Sequence, residues 1–211
     1  MLPRVLTRKY QLRVVAIFRL AFGVLTLAAL GVQFRTSQSH PQFNAVSFFS
    51  YFTNLSNIFG AFVFVALAAA GSRLPHSELL RGAAVLYLTI TFLVYALLLS
   101  GLGLGIVLAW VNNVLHRVFP IAALLDWFLV RPRVRLNRRQ TWWWLTFPVL
   151  YLIYSLIRGA LTGWYPYPFL DPRRDGGYLG VILTCLAIAL AFVLLTMGLT
   201  RVANGRAEWR P

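Results

Sequence analysis

The chain has 211 residues, 59% of them hydrophobic, and its mean hydropathy is +0.71. A soluble domain of this length is nearer half apolar, so this composition excludes an ordinary soluble globular protein. The net charge of +15 suggests a nucleic-acid partner at first sight, but the basic residues cluster beside apolar runs, and we expect no nucleic acid to bind.

Six apolar runs reach the roughly 20 residues that cross the hydrocarbon core of a bilayer. They predict transmembrane helices at about 14–34, 48–70, 82–104, 106–130, 142–163 and 177–200. Because these runs take up most of the chain, we expect residues 1–211 to form a single integral membrane domain. The expected fold class is all-α, a polytopic bundle of six transmembrane helices.

The basic residues predict how this bundle is oriented. Most of them lie before span one, between spans two and three, between spans four and five, and after span six. They are Arg4, Arg8, Lys9, Arg13, Arg73, Arg81, Arg131, Arg133, Arg135, Arg138, Arg139, Arg201, Arg206 and Arg210. The positive-inside rule then places both termini in the cytoplasm of a multi-pass inner-membrane protein, with a basic face against anionic membrane lipids.

Ionisable side chains inside the spans are costly in lipid and usually face the bundle interior. Arg19 of span one and Asp126 of span four lie at similar depths near the cytoplasmic ends of their spans. We therefore expect an Arg19–Asp126 ion pair that holds the two helices together. The alternative is that both side chains extend to the nearby headgroups.

The outer half of the predicted bundle holds a second group of polar residues, from spans two, four and five and from the loop after span five. They are Thr53, Asn57, Asn112, Asn113, His116, Arg158 and Asp171. Since these side chains lie at similar depths, they predict a polar pocket near the outer surface. The alternative is that the hydroxyl and amide groups only join helices by hydrogen bonds.

Four motifs resemble those of a known family. They are YFTNLSN in span two, N-x-x-x-H followed ten residues later by an acid in span four, W-x-x-F-P-x-x-Y-x-x-Y-x-x-x-R-G at 144–159, and YPYPFLD at 165–171. The chain resembles the androgen-induced and androgen-dependent membrane proteins of animals, and more closely their six-helix bacterial relatives. The likeness covers almost the whole sequence.

This resemblance implies an intramembrane threonine hydrolase, because the animal proteins cleave fatty acid esters of hydroxy fatty acids with a Thr–His pair. The pair falls on Thr53 and His116. The animal proteins carry a Glu where this chain has Asp126, and YPYPFLD belongs to the bacterial branch. The expected substrate is therefore a fatty-acyl ester of undefined identity.

The remaining polar residues are candidates for supporting roles in that chemistry. Asn57, Asn113 and Arg158 are candidate donors to an oxyanion, and Asn112 or Asp171 are candidates to orient His116. With one histidine inside the spans and one cysteine in the chain, Cys185, we expect no metal and no cofactor. A non-catalytic lipid-binding protein and a small-molecule transporter stay open as alternatives.

Overall fold

A computed structural model describes residues 4–70, 73, 76–102, 108–174 and 176–206, with side chains from residue 10 onward. In this part of the chain the regular structure is helical and contains no strand. The α-helices are α1 Arg4–Gln38, α2 Ala45–Phe49, α3 Phe52–Ala70, α4 Ser77–Val94, α5 Ala109–Asn113, α6 Phe119–Leu129, α7 Arg138–Thr141, α8 Thr146–Thr162 and α9 Gly177–Arg206. Two π turns extend this set, Tyr95–Leu99 after α4 and Val114–Val118 between α5 and α6, as do two 3-10 turns, Trp142–Leu145 and Pro168–Leu170.

Five of the described helical segments are long and apolar enough to cross a membrane. They are Tyr10–Gln38, Phe52–Ala70, Ser77–Leu99, Arg138–Thr162 and Gly177–Arg206. The chain is therefore an all-α protein of the membrane-embedded type. The predicted fourth span is continuously helical from 109 to 129, but its polar residues leave it outside these five segments.

The structure differs from the prediction in two of the spans. The predicted span 48–70 is interrupted at Ser50 and Tyr51, where α2 ends and α3 begins. In the third predicted span, 82–104, α4 begins at Ser77 and its π turn ends at Leu99, so both ends lie about five residues earlier than predicted. Residues 103–107, where predicted span three ends and predicted span four begins, lie outside the described part.

The core forms where α3 and α4 pack between α1, α6 and α9. Small residues allow some of these close approaches, as is common between membrane helices. A Cβ atom on Gly82 of α4 would lie 2.3 Å from the ring of Trp144. By contrast, α8 and α9 leave much of their apolar surface exposed, with Leu161 80% and Leu179 65% accessible. Such surfaces suit contact with lipid chains.

A buried charge cluster joins α1, α4 and α6. The Arg19 guanidinium binds both Asp126 carboxylate oxygens, at 2.8 and 3.1 Å. Arg81 donates to the same carboxylate at 2.6 Å and to Glu78 at 2.9 Å. The expected place of Arg81 was a loop between spans, but it lies on α4 and is only 1% exposed. Its burial is possible because two carboxylates and the main-chain carbonyls of Asp126 and Val130 accept its hydrogen bonds.

Candidate active site

The start of α3 and the π turn between α5 and α6 bring Thr53 and His116 together. Thr53 is the second residue of α3, and its Oγ1 lies 3.3 Å from Nε2 of His116. Thr53 is buried, with 8% of its surface exposed. The two residues that the family resemblance singles out, 63 positions apart in the sequence, therefore meet in the folded chain at hydrogen-bonding distance.

The contacts of His116 define which of its two ring nitrogens carries the proton and which one accepts from Thr53. Nδ1 lies 3.1 Å from the main-chain carbonyl of Asn112, one turn earlier. Because a carbonyl only accepts, Nδ1 carries the proton in the neutral ring, and Nε2 presents its lone pair to the Thr53 hydroxyl. The ring also stacks on Tyr95, with centroids 4.2 Å apart, and the Asn112 amide donates to the Tyr95 hydroxyl at 2.6 Å. Asn112 thus orients His116 through its carbonyl and through Tyr95.

The π turn Val114–Val118 explains the role of Asn57. The N–H of Phe119 donates to the carbonyl of Val114, so the Leu115 carbonyl lacks its usual helical donor. Asn57, which is fully buried, donates to that carbonyl at 3.1 Å and to the Thr53 carbonyl at 2.8 Å. One amide hydrogen is therefore used between helices and the other within α3, which leaves none for the expected oxyanion role.

Two tyrosine hydroxyls cover the first N–H groups of α3. Tyr167 accepts from the Thr53 N–H at 3.2 Å, and the same phenol oxygen lies 3.3 Å from Thr53 Oγ1. Tyr151 of α8 accepts from the Phe52 N–H at 3.1 Å and donates to the Ser50 carbonyl at 2.9 Å. These N–H groups have no partner within the helix, so the tyrosines supply one.

Tyr167 is a site residue that sequence reasoning missed. It lies in the loop between α8 and α9, within YPYPFLD, and only 7% of it is exposed. Burial raises the pKa of the Tyr167 phenol, so the hydroxyl keeps its proton near neutral pH and remains a donor. The motif itself is visible in the sequence, but no helical periodicity in it points to Thr53.

Three of the predicted supporting residues bind elsewhere. Arg158 donates to the Ser47 hydroxyl at 2.9 Å and stacks on the ring of Trp164. Asn113 accepts a hydrogen bond from Arg117, whose guanidinium also lies over the Tyr95 ring. Asp171 pairs with Arg173 at 2.8 Å. The contacts of these three residues therefore do not include Thr53 or His116, and the expected roles of Asn113, Arg158 and Asp171 in the reaction centre are not met.

The Asp171–Arg173 pair also lowers the pKa of the Asp171 carboxyl. The Arg173 guanidinium and N–H hold the pKa of the Asp171 carboxyl at about 2, below its usual range. Asp171 is therefore ionised at physiological pH and stays on Arg173. The orientation of His116 comes from Asn112 and Tyr95 instead.

A largely apolar cavity of about 250 Å³ has Thr53 in its wall. Its polar lining residues are Thr53, Thr91, Tyr151 and Tyr167, and His116 does not line it. The apolar lining comes mainly from α4, its π turn, α8 and α9, and includes Val94, Leu99, Pro148, Leu152, Ile188 and Phe192. The cavity lies in the space that α8 and α9 enclose together with α3 and α4. This shape and chemistry suit an acyl chain whose polar end lies at Thr53.

No group of three His, Cys, Asp or Glu side chains is close enough to hold a metal ion in the described part of the chain. No protein-family model, no curated protein and no solved structure matches the sequence. The arrangement of Thr53, His116 and Tyr167 is therefore the strongest indication of the chemistry of this chain.

Proposed function

We propose that this protein is an intramembrane hydrolase of fatty-acyl esters that uses Thr53 as nucleophile and His116 as general base. The observation that carries the proposal is the 3.3 Å approach of Thr53 Oγ1 to His116 Nε2 at an apolar cavity. This separation is slightly longer than a strong catalytic hydrogen bond, as is common without substrate. The resemblance to the androgen-induced family supports the same pair.

In the first half of the reaction, Thr53 Oγ1 attacks the acyl carbon while His116 Nε2 takes the hydroxyl proton. The tetrahedral intermediate collapses when the C–O bond to the alcohol breaks, and His116 returns the proton to the departing alcohol oxygen. The products are the free alcohol and an acyl ester on Thr53. The carbonyl of Asn112 stabilises the protonated imidazole because it accepts from Nδ1 throughout.

In the second half, a water molecule attacks the acyl-Thr53 carbonyl and gives a proton to His116. Collapse of this second intermediate breaks the bond to Thr53 Oγ1, which takes the proton back from His116. The fatty acid leaves and the pair is restored. One water is consumed for each ester cleaved.

We assign two donors to the negative oxygen of both intermediates, the Tyr167 hydroxyl and the main-chain N–H of Thr53. This N–H donates to the Tyr167 oxygen in the structure, so it must exchange that bond for one to the oxyanion. Both donors lie at the N-terminal end of α3, where the helix dipole also favours negative charge. Preorganised donors of this kind typically supply the largest share of catalysis in acyl transfer.

The membrane arrangement belongs to the same proposal. We take the helix 109–129 as a fourth span in a six-span bundle, with both termini cytoplasmic and the reaction centre in the outer half. The basic segments at the opposite end of the sequence-predicted spans support this orientation. An acyl ester then enters sideways from the bilayer between α8 and α9, with its ester group near the headgroups.

A fluorophosphonate probe tests the proposal directly. The purified protein is treated in mild detergent, and the labelled peptide is identified by mass spectrometry. We expect labelling at position 53 in the wild type and in Thr53→Ser, and no labelling in Thr53→Ala or His116→Ala. Thr91→Val is the matched control, because Thr91 lines the same cavity but bonds to Ser56 and Tyr87 instead of His116.

A lipid-binding protein without turnover is the second candidate. It is favoured by the absence of His116 from the cavity lining, since the cavity can then hold a chain without the base. Two results together would select this candidate and reject the hydrolase. The folded wild type would bind fatty acids without being labelled by the probe, and Thr53→Ala would bind fatty acids as tightly as the wild type.

A further inference from the structure

A second cavity, of about 430 Å³, lies along the first half of α4, and we call it the α4 groove. α4 lines it with Leu79, Ala83 and Tyr87, which follow one another at one-turn spacing and so share a face of the helix. Phe59 of α3 and Trp144 of the 3-10 turn line it from the neighbouring segments. Among the described residues, none lines both the α4 groove and the cavity at Thr53.

The α4 groove is polar at one end and aromatic at the other. Its polar end has the exposed side chains of His76, at the N-cap of α4, and Gln140 of α7. At the other end lies the buried ring of Tyr87, whose hydroxyl is already used by the Trp144 carbonyl at 2.8 Å. Tyr87 follows His76 by eleven positions, so helical rise separates the two ends by about 16 Å.

This length corresponds to the acyl region of one membrane leaflet. The hydrocarbon core of a bilayer is about 30 Å thick, so each leaflet contributes roughly 15 Å of it. Trp143, which also lines the groove, is 73% exposed, and exposed tryptophans are typical of the headgroup level. A lipid with its head group at His76 and Gln140 can therefore lay one chain along α4 as far as Tyr87.

The charges beside the polar end favour one kind of head group. Arg73 lies three residues before His76, Arg139 directly precedes Gln140, and both arginines are exposed. Glu78 in the first turn of α4 does not offset them, because its carboxylate binds a buried arginine at 2.9 Å. This end of the groove is therefore positive, which attracts an anionic head group and disfavours a cationic one.

We propose that the α4 groove binds a phospholipid of net negative charge, with one acyl chain along α4 and the phosphate at His76, Gln140 and Arg139. The lipid comes from the leaflet on the basic side of the bundle. Because it contacts α3, α4 and the 3-10 turn together, it stabilises the packing of these segments. The site goes beyond the proposed hydrolysis, and its occupation does not depend on Thr53 or His116.

Native mass spectrometry of the full chain in mild detergent tests this proposal. The chain is titrated with dioctanoyl phosphatidylglycerol, which is anionic, or with dioctanoyl phosphatidylcholine, which has no net charge. We expect one phosphatidylglycerol per chain with a Kd at least about five-fold lower than that of phosphatidylcholine, since one nearby arginine contributes roughly this much. The melting temperature should rise more with phosphatidylglycerol. Equal Kd values for the two lipids would overturn the proposal.

Two matched pairs of variants test the location. Trp143→Ala removes a ring that lines the groove, whereas Trp142→Ala removes an exposed neighbour that does not. Arg139→Gln and Arg201→Gln each remove one exposed positive charge, at the groove and on α9 respectively. We expect Trp143→Ala to weaken both lipids at least about three-fold through lost apolar contact, and Arg139→Gln to weaken phosphatidylglycerol alone, about five-fold. Both controls should bind as the wild type does.

Three other results would overturn the proposal. Equal losses in Arg139→Gln and Arg201→Gln would mean that the lipid is held only by the general positive charge of the protein surface. Displacement of phosphatidylglycerol by an equal concentration of glycerol phosphate would mean that the acyl chain contributes nothing and the ligand comes from solution. A dimer that binds no phosphatidylglycerol would assign the groove to a second copy of the chain.

Discussion

Asn57 of α3 donates a hydrogen bond to the main-chain carbonyl of Leu115, 3.1 Å away on the neighbouring helix. The same amide donates to the carbonyl of Thr53, which is one turn earlier on α3. Leu115 directly precedes His116, so one amide group links the backbones that carry Thr53 and His116. The alignment of Thr53 with His116 therefore depends on Asn57, whose own hydrogen bonds go to these two main-chain carbonyls.

Replacing Asn57 with Leu should consequently lower both stability and activity. The Leu115 carbonyl loses its donor while it stays buried, which typically costs about 1–3 kcal/mol. We expect kcat for an acyl ester to fall with it, because His116 is no longer held against Thr53. Thermal unfolding and initial rates in detergent measure the two effects.

Thr89→Val is the control for Asn57→Leu. Thr89 is also buried and polar, but its hydroxyl bonds to its own helix, at the Val85 carbonyl. This variant should keep most of the activity. If Asn57→Leu keeps full activity as well, the link between the two backbones is not what aligns the pair.

Tyr167→Phe tests the proposed oxyanion donor. The ring keeps its packing while the hydroxyl is lost, so we expect kcat to fall roughly 10²-fold with little change in KM. The melting temperature should fall about as much as in Tyr151→Phe, because each variant removes the partner of one N–H at the start of α3. Tyr151→Phe is the matched control, since the Tyr151 hydroxyl bonds to the neighbouring Phe52 N–H and to the Ser50 carbonyl. If kcat falls equally in both variants, the two tyrosine hydroxyls only cap the start of α3 and Tyr167 is not an oxyanion donor.

Contacts that depend on depth in the membrane were predictable from the sequence. Thr53 and His116 lie at similar predicted depths, and the structure places them 3.3 Å apart. Arg19 and Asp126 also lie at similar depths, and they form an ion pair. For Arg19 and Asp126, depth and the cost of burying charge indicated the pair, because helical rise converts sequence position into depth. For Thr53 and His116, depth alone was not sufficient, and the family resemblance singled out the pair.

Contacts that depend on loop paths and irregular turns were harder to predict. Tyr167 reaches Thr53 because its loop folds back over α8, which no periodicity predicts. Asn57 donates to the Leu115 carbonyl, which is free of a helical donor only because residues 114–118 form a π turn. The nearby Pro120 is the one feature of the sequence that points to an irregular turn here. The charge of Arg81 favoured a loop, since its two acidic partners become apparent only in the folded chain.

The folded-back loop gives a prediction at Gly159 of α8. A Cβ atom at this position would lie 2.0 Å from the ring of Tyr165, so Gly159→Ala must displace Tyr165 and the segment that carries Tyr167. We expect hydrolysis to fall at least about ten-fold and stability to fall by about 1–3 kcal/mol. Gly198→Ala on α9 is the control, because nothing lies within 4 Å of its added Cβ. Unchanged hydrolysis in Gly159→Ala would show that the packing of Tyr165 does not hold Tyr167 at the proposed active site.

The buried charge cluster predicts a stability effect without a direct catalytic one. In Asp126→Asn the guanidinium groups of Arg19 and Arg81 lose their shared carboxylate, and such a loss typically costs about 3–5 kcal/mol. Melting temperature in detergent should fall clearly, whereas the folded fraction should keep its labelling by the fluorophosphonate probe. Asp171→Asn, which alters an exposed arginine pair, should melt close to the wild type. An unchanged melting temperature in Asp126→Asn would show that the cluster does not stabilise the fold.

The cavity between α8 and α9 predicts a preference for acyl chain length. Ala189 lines this cavity from α9, so Ala189→Phe fills part of the space that an acyl chain would occupy. We expect kcat/KM to fall for decanoyl esters and to change little for butanoyl esters, because a short chain leaves the filled part unused. The ratio of the two rates, measured in the same detergent, corrects for differences in folded fraction. Leu190→Phe is the control, since Leu190 is 58% exposed and does not line the cavity. A ratio that stays at the wild-type value in Ala189→Phe would mean that the acyl chain binds elsewhere on the protein.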